Sequence, residues 1–530
     1  MNAALFYGGP ILTMQAEEDG PAARAEAVLV KDGRIAAAGP LSELEASCPQ
    51  ARRIDLHGAC LLPAFIDPHS HFLQYAGTLQ FCQLGRCTSL EQVQQTQRDF
   101  MEHHPAGPDE LLVGFGYDQN LFREGRHPTR QLLDAVSDVR PIMVTHASGH
   151  MGVANSVMLG LLGLTDDTPD PQGGRYGRDA QGHLDGLLEE NAFIQRPPLP
   201  NKQDPKKQLE KMLGLLEKAQ EIYFSYGITT AQEGMLDEGT FAVYQQAGQQ
   251  GRLKMDVVGY ADMRNCPALP DNHPEFREKY HNHFKVGGYK LFLDGSPQGR
   301  TAWMLDDYAD EPGYKGYPVY TDEQVEQAVQ KAQDAQLQLL CHCNGDAAAA
   351  QFIRAHKRPS TKRDVMIHSQ FLHADQMPAM KAAGIMPSFF SAHTWYWGDA
   401  HIHHMGYERA SRISAAASAK ALGLPYTMHM DTPVLPPDCI DSIFCAVNRV
   451  TRDGVKLDQS EALSVYDALK AFTVHAAWQY FEEDEKGTIA PGKLADLVIL
   501  SDDPTTVPAE DLRSVSVLAT IKGGECVWHK

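Results

Sequence analysis

Long apolar runs, positive charge and closely spaced cysteines are all scarce in this sequence of 530 residues. No run approaches the roughly 18 apolar residues of a membrane-spanning helix, so we expect no membrane partner. Residues 1–9 have neither the basic start nor the apolar core of a signal peptide, which favours a cytoplasmic protein. The ten cysteines include no Cys-x-x-Cys pair, so we interpret them as reduced thiols of the core.

Acidic residues outnumber basic ones. The 68 Asp and Glu exceed the 47 Lys and Arg, which gives a net charge of −21. Such a charge disfavours nucleic acids and anionic membranes as partners, because both would repel it. Hydrophobic residues make up 43% of the chain and charged residues 22%, as in soluble globular proteins. A chain of this length predicts two domains.

Short strand patterns occur at both ends of the chain. Residues 27–30 and 35–39 flank Asp32-Gly33, a pair that is typical of a tight hairpin turn. Further strands are predicted at 494–500, 515–521 and 525–528. Because each end alone is too short for a stable core, we predict one small β-sandwich domain from residues 1–62 and 483–530.

The middle of the chain, residues 63–482, alternates apolar strands with helical stretches. This alternation predicts an α/β fold, a (β/α)8 TIM barrel whose active site lies at the carboxyl ends of the strands. The predicted strands are 61–71, 227–230, 255–260, 288–293, 337–342, 365–368, 385–390 and 425–429. The predicted helices include 206–225, 322–336, 344–356 and 460–480. Residues 73 to about 220 are too many for one connection, and we interpret them as an insertion that caps the active site.

The first predicted barrel strand ends in His69 and His71. Residues two apart on a strand point to the same face, so both imidazoles could bind one metal ion. The spacing alone is not decisive, because it occurs again at 281/283 and 401/403. Its place directly after a buried strand distinguishes the first pair.

Other metal-binding residue types occur at the ends of later predicted strands. Alone, each has a plain structural interpretation as a hydrogen-bonded core residue, an ion-pair partner or a helix cap. Together with the first two histidines, they converge on one mouth of the predicted barrel. Imidazole and carboxylate groups are the ligands expected for zinc and similar ions. The residues concerned are Lys290, His342, His368 and Asp431.

Several motifs carry a resemblance to a known family. The chain resembles the amidohydrolase superfamily over nearly its full length, in the branch similar to YtcJ-like proteins and N-substituted formamide deformylases. The motifs are Pro63-x-Phe65-Ile66-Asp67-x-His69-x-His71, Gly114 to Gln119, Ser148-Gly149-His150 with Asn155, Gly173-Gly174-Arg175 to Glu190, Lys290 to Ser296 with Gly299 to Ala302, His342 to Asp346, and Gly487 to Leu500.

The resemblance implies a set of roles for the strand-end residues. His69, His71 and Asp431 would hold one metal position, while His342 and His368 would hold a second. Lys290 would bridge the two as a carbamate, a carboxylated lysine formed with CO₂. One or two divalent transition metals, zinc above all, would activate a water and polarise the scissile carbonyl. Catalysis would then rest on three of these residues, with the last accepting the proton of the water: Lys290, His342 and Asp431.

Several further residues are expected to contact substrate. The strand-eight motif of the family usually reads Gly-Ser-Asp, but this chain has His429 two residues before Asp431. That histidine is either an extra ligand or a partner of the aspartate. The segment 391–404 is rich in His and Trp and is either a solvated loop or a wall of the substrate pocket. The remaining expected substrate contacts are His150, Tyr117, Trp395, Trp397 and His393.

We therefore predict a metal-dependent hydrolase that cleaves a C–N bond, with Asp431 as general base and acid. The expected substrate is a small amide or N-substituted formamide with an apolar or aromatic substituent. A cyclic amide, a carbamate or an ester remains open as substrate. The alternatives are a non-hydrolytic decarboxylase or isomerase, and a metal-free regulatory or assembly protein. Analogy with the superfamily favours a homodimer.

Overall fold

The computed structural model describes residues 3–16, 20, 23–105, 107, 110–147, 149, 151–171, 174–194, 196 and 204–530. Within these ranges, none of the helices combines the length and the apolar character that a membrane span would need. The described chain divides into two compact units. The first comprises residues 1–72, 220–432 and 436–530, and the second comprises residues 73–219 and 433–435.

Strands supply three sheets. In chain order they are β1 (Ala3–Leu12), β2 (Arg24–Lys31), β3 (Arg34–Gly39), β4 (Arg52–Asp55), β5 (Cys60–Pro63), β6 (Phe65–Ile66), β7 (Cys82–Gln83), β8 (Leu112–Tyr117), β9 (Ile142–His146), β10 (Met151–Ala154), β11 (Gly174–Arg178), β12 (Leu184–Glu190), β13 (Ile228–Leu236), β14 (Asp256–Asp262), β15 (Phe284–Phe292), β16 (Gln338–Cys343), β17 (Asp364–His368), β18 (Ile385–Phe389), β19 (Thr427–Met428), β20 (Leu497–Leu500), β21 (Val517–Lys522) and β22 (Glu525–His529).

Helices connect most of these strands. In chain order they are α1 (Leu41–Ser47), α2 (Phe72–Thr78), α3 (Leu90–His103), α4 (Arg130–Asp134), α5 (Ser156–Leu161), α6 (Asn191–Ile194), α7 (Pro205–Ser225), α8 (Glu238–Gln249), α9 (Leu269–Asn272), α10 (Asp322–Ala335), α11 (Asp346–Ala355), α12 (Met377–Ala382), α13 (His393–Tyr396), α14 (Gly398–Met405), α15 (Tyr407–Ala410), α16 (Ala416–Ala421), α17 (Cys439–Asn448), α18 (Val465–Ala471) and α19 (Val474–Gln479). Short 3₁₀ helices lie at Gln119–Leu121, Pro274–Phe276, Ala374–Gln376, Gln459–Glu461 and Ala509–Ser514.

The first unit contains an eight-stranded parallel sheet in the order β6, then β13 to β19. Each of these strands overlaps a predicted one, so the α/β, TIM-like barrel is confirmed. Just beyond the first and last strands, the backbone N–H of His71 donates to the carbonyl oxygen of Thr432 at 2.8 Å. That bond joins the two ends of the sheet at its carboxyl edge, where the predicted site residues lie.

The other sheet of this unit combines both ends of the chain. Strands β20 to β22 pair with one another, and β20 runs antiparallel to β5, which links them to β1, β2 and β3. Alternating side chains bury both faces: Phe6 and Val28 belong to one apolar cluster, while Leu5 and Leu29 belong to another together with Leu44 of α1. The structure therefore shows one sheet built from both termini, and the sandwich form stays a prediction.

Two predicted elements differ from the structure. The stretch 61–71 is not one strand. It leaves the terminal sheet at Pro63 and joins the barrel at Phe65, whose N–H donates to Gly227. The barrel strand already ends at Ile66, so His69 and His71 lie beyond it. The predicted helix 460–480 is interrupted after α18. There the carbonyl oxygen of Phe472 accepts a bond from the N–H of Ile66 (2.8 Å) instead of continuing the helix.

The second unit has its own six-stranded sheet, in the order β11, β12, β10, β9, β8 and β7. Strands β7 to β9 are parallel and the others are antiparallel. Its core includes Leu84, Val93, Leu133 and Val144, all almost inaccessible to solvent. That this insertion caps the active site stays a prediction.

Candidate metal centre

The carboxyl ends of β6 and β19 bring three predicted ligands together. Asp431 Oδ1 lies 3.2 Å from His69 Nε2 and 3.5 Å from His71 Nε2. One ligand atom from each of these residues lies within 4.8 Å of the others. Asp431 has a positive φ of 53°, an uncommon conformation for a residue other than glycine. The backbone is thus strained at Asp431, at the open end of the barrel.

The proton on His69 can be assigned from its neighbour Gln232. The amide nitrogen of Gln232 donates to the carbonyl oxygen of Pro68 at 2.5 Å, which only accepts hydrogen bonds. The amide oxygen must therefore face His69 Nδ1, at 2.6 Å. Nδ1 of His69 consequently carries the proton, and its Nε2 offers a lone pair to the site.

The position of this proton shows whether a metal ion fits between His69 and Asp431. The Nε2 lone pair of His69 and the carboxylate oxygen of Asp431 are both acceptors, yet they face each other at 3.2 Å. Oδ1 of Asp431 is buried and receives no hydrogen bond from the described part of the chain. Two such atoms repel each other unless a cation is close to both, and Lys290, whose Nζ lies 3.2 Å from His69 Nε2, is such a cation only when it is protonated. Because imidazole nitrogen and carboxylate oxygen are preferred ligands of zinc, the donor set fits a divalent transition metal.

Lys290 lies beside this group, on β15. Its Nζ is 3.2 Å from His69 Nε2, and its side chain is almost fully buried. Burial lowers the pKa of Lys290 to about 8, although the nearby carboxylate of Asp431 acts in the opposite direction. A larger share of neutral amine near neutral pH follows, which is the form that can react with CO₂.

His342 and His368 form a second pair of predicted ligands. Nδ1 of His342 and Nε2 of His368 face each other at 3.1 Å. Ile367, the residue before His368, packs in the same apolar cluster as Leu340, and simple strand alternation would turn His368 to the opposite face. A φ of 70° at His368 departs from the strand conformation and allows its ring to meet His342.

Three histidines of the group, His69, His71 and His368, are held neutral. Burial is the largest cause in each case, and it lowers the pKa of His71 to about 3. Burial likewise lowers the pKa of His69 and of His368 well below the usual value. Neutral imidazoles keep a lone pair, as metal ligation requires.

His429 joins the group through His368. Its Nε2 lies 3.1 Å from His368 Nδ1, and its Nδ1 lies 2.9 Å from the hydroxyl of Ser388. The ring centroids of His429 and His69 are 5.1 Å apart. Both ring nitrogens are therefore engaged by His368 and Ser388, and its role in substrate binding stays a prediction.

The segment 391–404 folds into α13 and α14 and is largely buried rather than a solvated loop. His393 Nδ1 lies 3.0 Å from His401 Nε2, and its ring contacts Trp397 with centroids 4.5 Å apart. Phe390 lies between this segment and the site, since its ring is 4.6 Å from that of His393 and 5.2 Å from that of His429.

Trp395 packs differently from Trp397. The guanidinium of Arg513 lies 4.3 Å from the centroid of the Trp395 ring, and the ring of Phe444 meets it edge-on at 5.7 Å. The C-terminal part of the chain thus covers this tryptophan. Its expected role as a wall of the substrate pocket stays a prediction, as does that of Trp397.

Two expected substrate residues belong to the second unit. His150 lies outside the described residues. The hydroxyl of Tyr117 lies 3.0 Å from His127 Nδ1, and its ring contacts that of His146 with centroids 5.3 Å apart. The roles of Tyr117 and His150 therefore stay predictions.

Three residues of the site were not among those predicted from the sequence: Gln232, Ser388 and Phe390. Gln232 lies two residues beyond the predicted end of the second barrel strand, whereas β13 continues to Leu236. A polar residue next to apolar ones at a barrel strand end was the available signal for Gln232 and Ser388. No comparable signal marks Phe390, because an aromatic residue at a strand end is most often part of the core.

Comparison with known proteins gives the family directly. The model of the amidohydrolase family matches residues 52–528. The chain belongs to the amidohydrolase family. It is 28% identical to the protein named amidohydrolase YtcJ of Bacillus subtilis, over 99% of each chain. It is 25% identical to the N-substituted formamide deformylase of Arthrobacter pascens, over 94% of each chain. The resemblance found in the sequence is confirmed, and family membership supports a hydrolase.

Solved structures show the same fold. An uncharacterized metal-dependent hydrolase from Pyrococcus furiosus superposes with a TM-score of 0.73 at 24% identity, covering 95% of this chain and all of that one. A second, from Pyrococcus horikoshii, gives a TM-score of 0.75 at 23% identity, covering 96% of this chain and 99% of that one. At this identity the likeness concerns the fold alone.

Proposed function

We propose that this protein is a metal-dependent hydrolase that cleaves the C–N bond of a small amide or N-substituted formamide. The observation that carries the proposal is the pair of facing acceptors, His69 Nε2 and Asp431 Oδ1, 3.2 Å apart. Lys290 relieves this repulsion only while it is protonated, whereas a divalent metal would accept both lone pairs, and the surrounding residues are those that zinc prefers. Similarity to the formamide deformylase of Arthrobacter pascens supports the substrate class.

Six residues would hold one or two metal ions, with zinc the best match to this donor set. When bound, a divalent metal lowers the pKa of a coordinated water to about 7 and polarises the scissile carbonyl. Lys290 contributes as a carbamate, because its buried amine can lose a proton and form an N–C bond with CO₂. The six are His69, His71, Lys290, His342, His368 and Asp431.

Asp431 would carry the proton during the reaction. Its carboxylate accepts a proton from the attacking water, whose oxygen bonds to the carbonyl carbon. As the C–N bond breaks, the same carboxyl group returns the proton to the leaving nitrogen. The products are an amine and a carboxylic acid, which is formic acid when the substrate is a formamide. His69 keeps its orientation throughout because Gln232 binds its other nitrogen.

The rim beside the site favours a substrate with an apolar or aromatic substituent. Phe390 and Trp397 have rings 5.9 Å apart and lie next to the neutral pair His393 and His401. Burial, with the neighbouring His401 as the next cause, lowers the pKa of His393 well below its usual value. We infer that Phe390 and Trp397 line the substrate pocket, where they would offer ring contacts without permanent charge, which suits an uncharged substituent.

Metal analysis and one substitution test the proposal. Purified protein should contain a stoichiometric transition metal and hydrolyse N-substituted formamides or simple amides. Asp431→Asn should lower kcat by about 10²- to 10⁴-fold with the fold retained, because proton transfer is lost. Protein without bound metal, and without activation by Zn²⁺ or Mn²⁺, would contradict the proposal. A fully active Asp431→Asn enzyme would rule out the proton-transfer role.

A further inference from the structure

A line of hydrogen-bonding groups crosses the carboxyl ends of β16 to β19. It runs from Nδ1 of His342 to Nε2 of His368 (3.1 Å), from Nδ1 of His368 to Nε2 of His429 (3.1 Å), and from Nδ1 of His429 to the hydroxyl of Ser388 (2.9 Å). His368, His429 and Ser388 are almost or fully inaccessible to solvent. Water therefore cannot replace a partner that is removed.

The position of His429 in this line is determined by its strand. Its backbone N–H donates to the carbonyl oxygen of Phe389 at 3.1 Å, which extends the pairing of β19 with β18. On β18, Ser388 points to the same interior and binds the ring from the other side. His429 therefore has a defined orientation that does not depend on His368.

His368 pairs with Cys343 and Phe389 at the end of β17, but its backbone is irregular there. Its φ of 70°, followed by 47° at Ser369, places it outside the regular strand conformation. The direction of its ring must therefore come from side-chain contacts. Its nitrogens contact His342 on one side and His429 on the other, and its ring also meets those of His69 and Phe390.

We propose that His429 is a positioning residue that accepts the Nδ1–H of His368 and donates its own Nδ1–H to Ser388. In this arrangement His368 keeps the lone pair of Nε2 directed towards His342, ready for a metal ion. In this arrangement Nε2 of His429 uses its lone pair to accept from His368 and Nδ1 carries a proton, so His429 is not itself a ligand. The inference rests on the proposed metal-dependent function and adds the reason why this chain has a histidine two residues before Asp431.

The test compares Zn²⁺ affinity between variants, by competition with a chromogenic chelator. His429→Leu should bind Zn²⁺ about 10- to 100-fold more weakly, as is typical when the partner of a ligating histidine is removed. His429→Gln should recover most of the loss, since its amide oxygen can accept from His368. Loading with Co²⁺ provides a second readout, because a displaced His368 changes the absorption spectrum of the metal.

His401→Leu is the matched control. His401 is equally buried and also pairs with a histidine, His393, at 3.0 Å, but neither is a proposed ligand. This variant should bind Zn²⁺ with the wild-type Kd. Folding of each variant is checked by circular dichroism.

The outcomes separate this inference from the proposed function. Wild-type protein that binds no metal would overturn both. Wild-type protein that binds Zn²⁺, together with a folded His429→Leu variant of equal Kd and equal Co²⁺ spectrum, would overturn only the inference. If His429→Leu does not fold, Ser388→Ala decides: weaker Zn²⁺ binding than in His401→Leu supports the role of His429, and an unchanged Kd refutes it.

Discussion

At the scale of single residues, Gln232 determines which nitrogen of His69 is available. Gln232→Leu leaves the buried Nδ1–H without an acceptor, at a cost of about 1–3 kcal/mol in the free energy of unfolding. It should also weaken Zn²⁺ binding by about 10- to 100-fold, because the ring is no longer held in one tautomer. Equilibrium competition with a chelator, alongside urea unfolding, measures both effects.

The control for this substitution is Gln479→Leu. Gln479 is as buried as Gln232 and donates to the same carbonyl oxygen of Pro68, at 2.9 Å, but the structure shows no bond from it to His69. It should lose stability and keep its Zn²⁺ affinity. Equal affinity losses in the two variants would show that the effect of Gln232 comes from general destabilisation and not from the tautomer of His69.

At the scale of elements, α13 and the residue after it carry two tryptophans, Trp395 and Trp397, which have different surroundings. Trp397→Ala should lower kcat/KM for substrates with an aromatic substituent by about tenfold or more, because losing a contact the size of even one methylene in an apolar pocket costs roughly 1–3 kcal/mol. Substrates with a small alkyl substituent should be affected less. The measurement is steady-state kinetics with such a matched substrate pair.

Trp395→Ala is the companion variant. Its ring is covered by Arg513 and Phe444, so the expected effect is a lower melting temperature with little change in substrate preference. If both variants alter substrate preference equally, both tryptophans contact substrate. If neither does, the wall of the pocket lies elsewhere.

At the scale of the whole molecule, a buried ion-pair network joins the barrel to the terminal sheet. Asp256, at the start of β14, lies 2.7 Å from both Lys486 and Lys522. Burial acts to raise the pKa of Asp256, but the two lysines outweigh it and hold the value well below the usual range. The stabilisation is therefore present above the unfolded-state pKa of about 3.9 and is lost as the pH falls through the folded-state pKa.

Acid unfolding tests this network. The free energy of unfolding, measured with urea between pH 7 and pH 3, should fall steeply below about pH 4 in the wild-type protein. Lys522→Met should make that fall shallower, because one of the charges that depresses the pKa of Asp256 is gone. Lys254→Met, at an exposed lysine, should follow the wild-type curve. A Lys522→Met curve parallel to that of the wild type would contradict the assignment.

Much of the barrel could be predicted because its strands are apolar and separated by helical stretches of regular length. The errors occurred where one segment serves two elements. Cys60–Pro63 and Phe65–Ile66 read as one apolar run, although they join different sheets. Phe472 reads as helical, although its carbonyl oxygen binds β6. Such partners lie far away in the sequence, and no local pattern indicates them.

For the candidate site too, the sequence predicted some features and not others. His69, Lys290, His342 and Asp431 could be found from their positions at strand ends, because parallel strands bring those ends to one edge. The orientation of each ring could not be found. His368 reaches the site only through an uncommon φ. The identity of a residue does not predict a φ that its neighbours in the fold impose.

The sequence by itself determined the family, the parallel barrel and which residue types meet at its carboxyl edge, since periodicity and motif order depend on local chemistry alone. The tertiary structure decided which nitrogen of each imidazole faces inward and what holds it there. Gln232 against His69, and Ser388 behind His429, are contacts between different strands. Their geometry exists only once the strands are packed side by side.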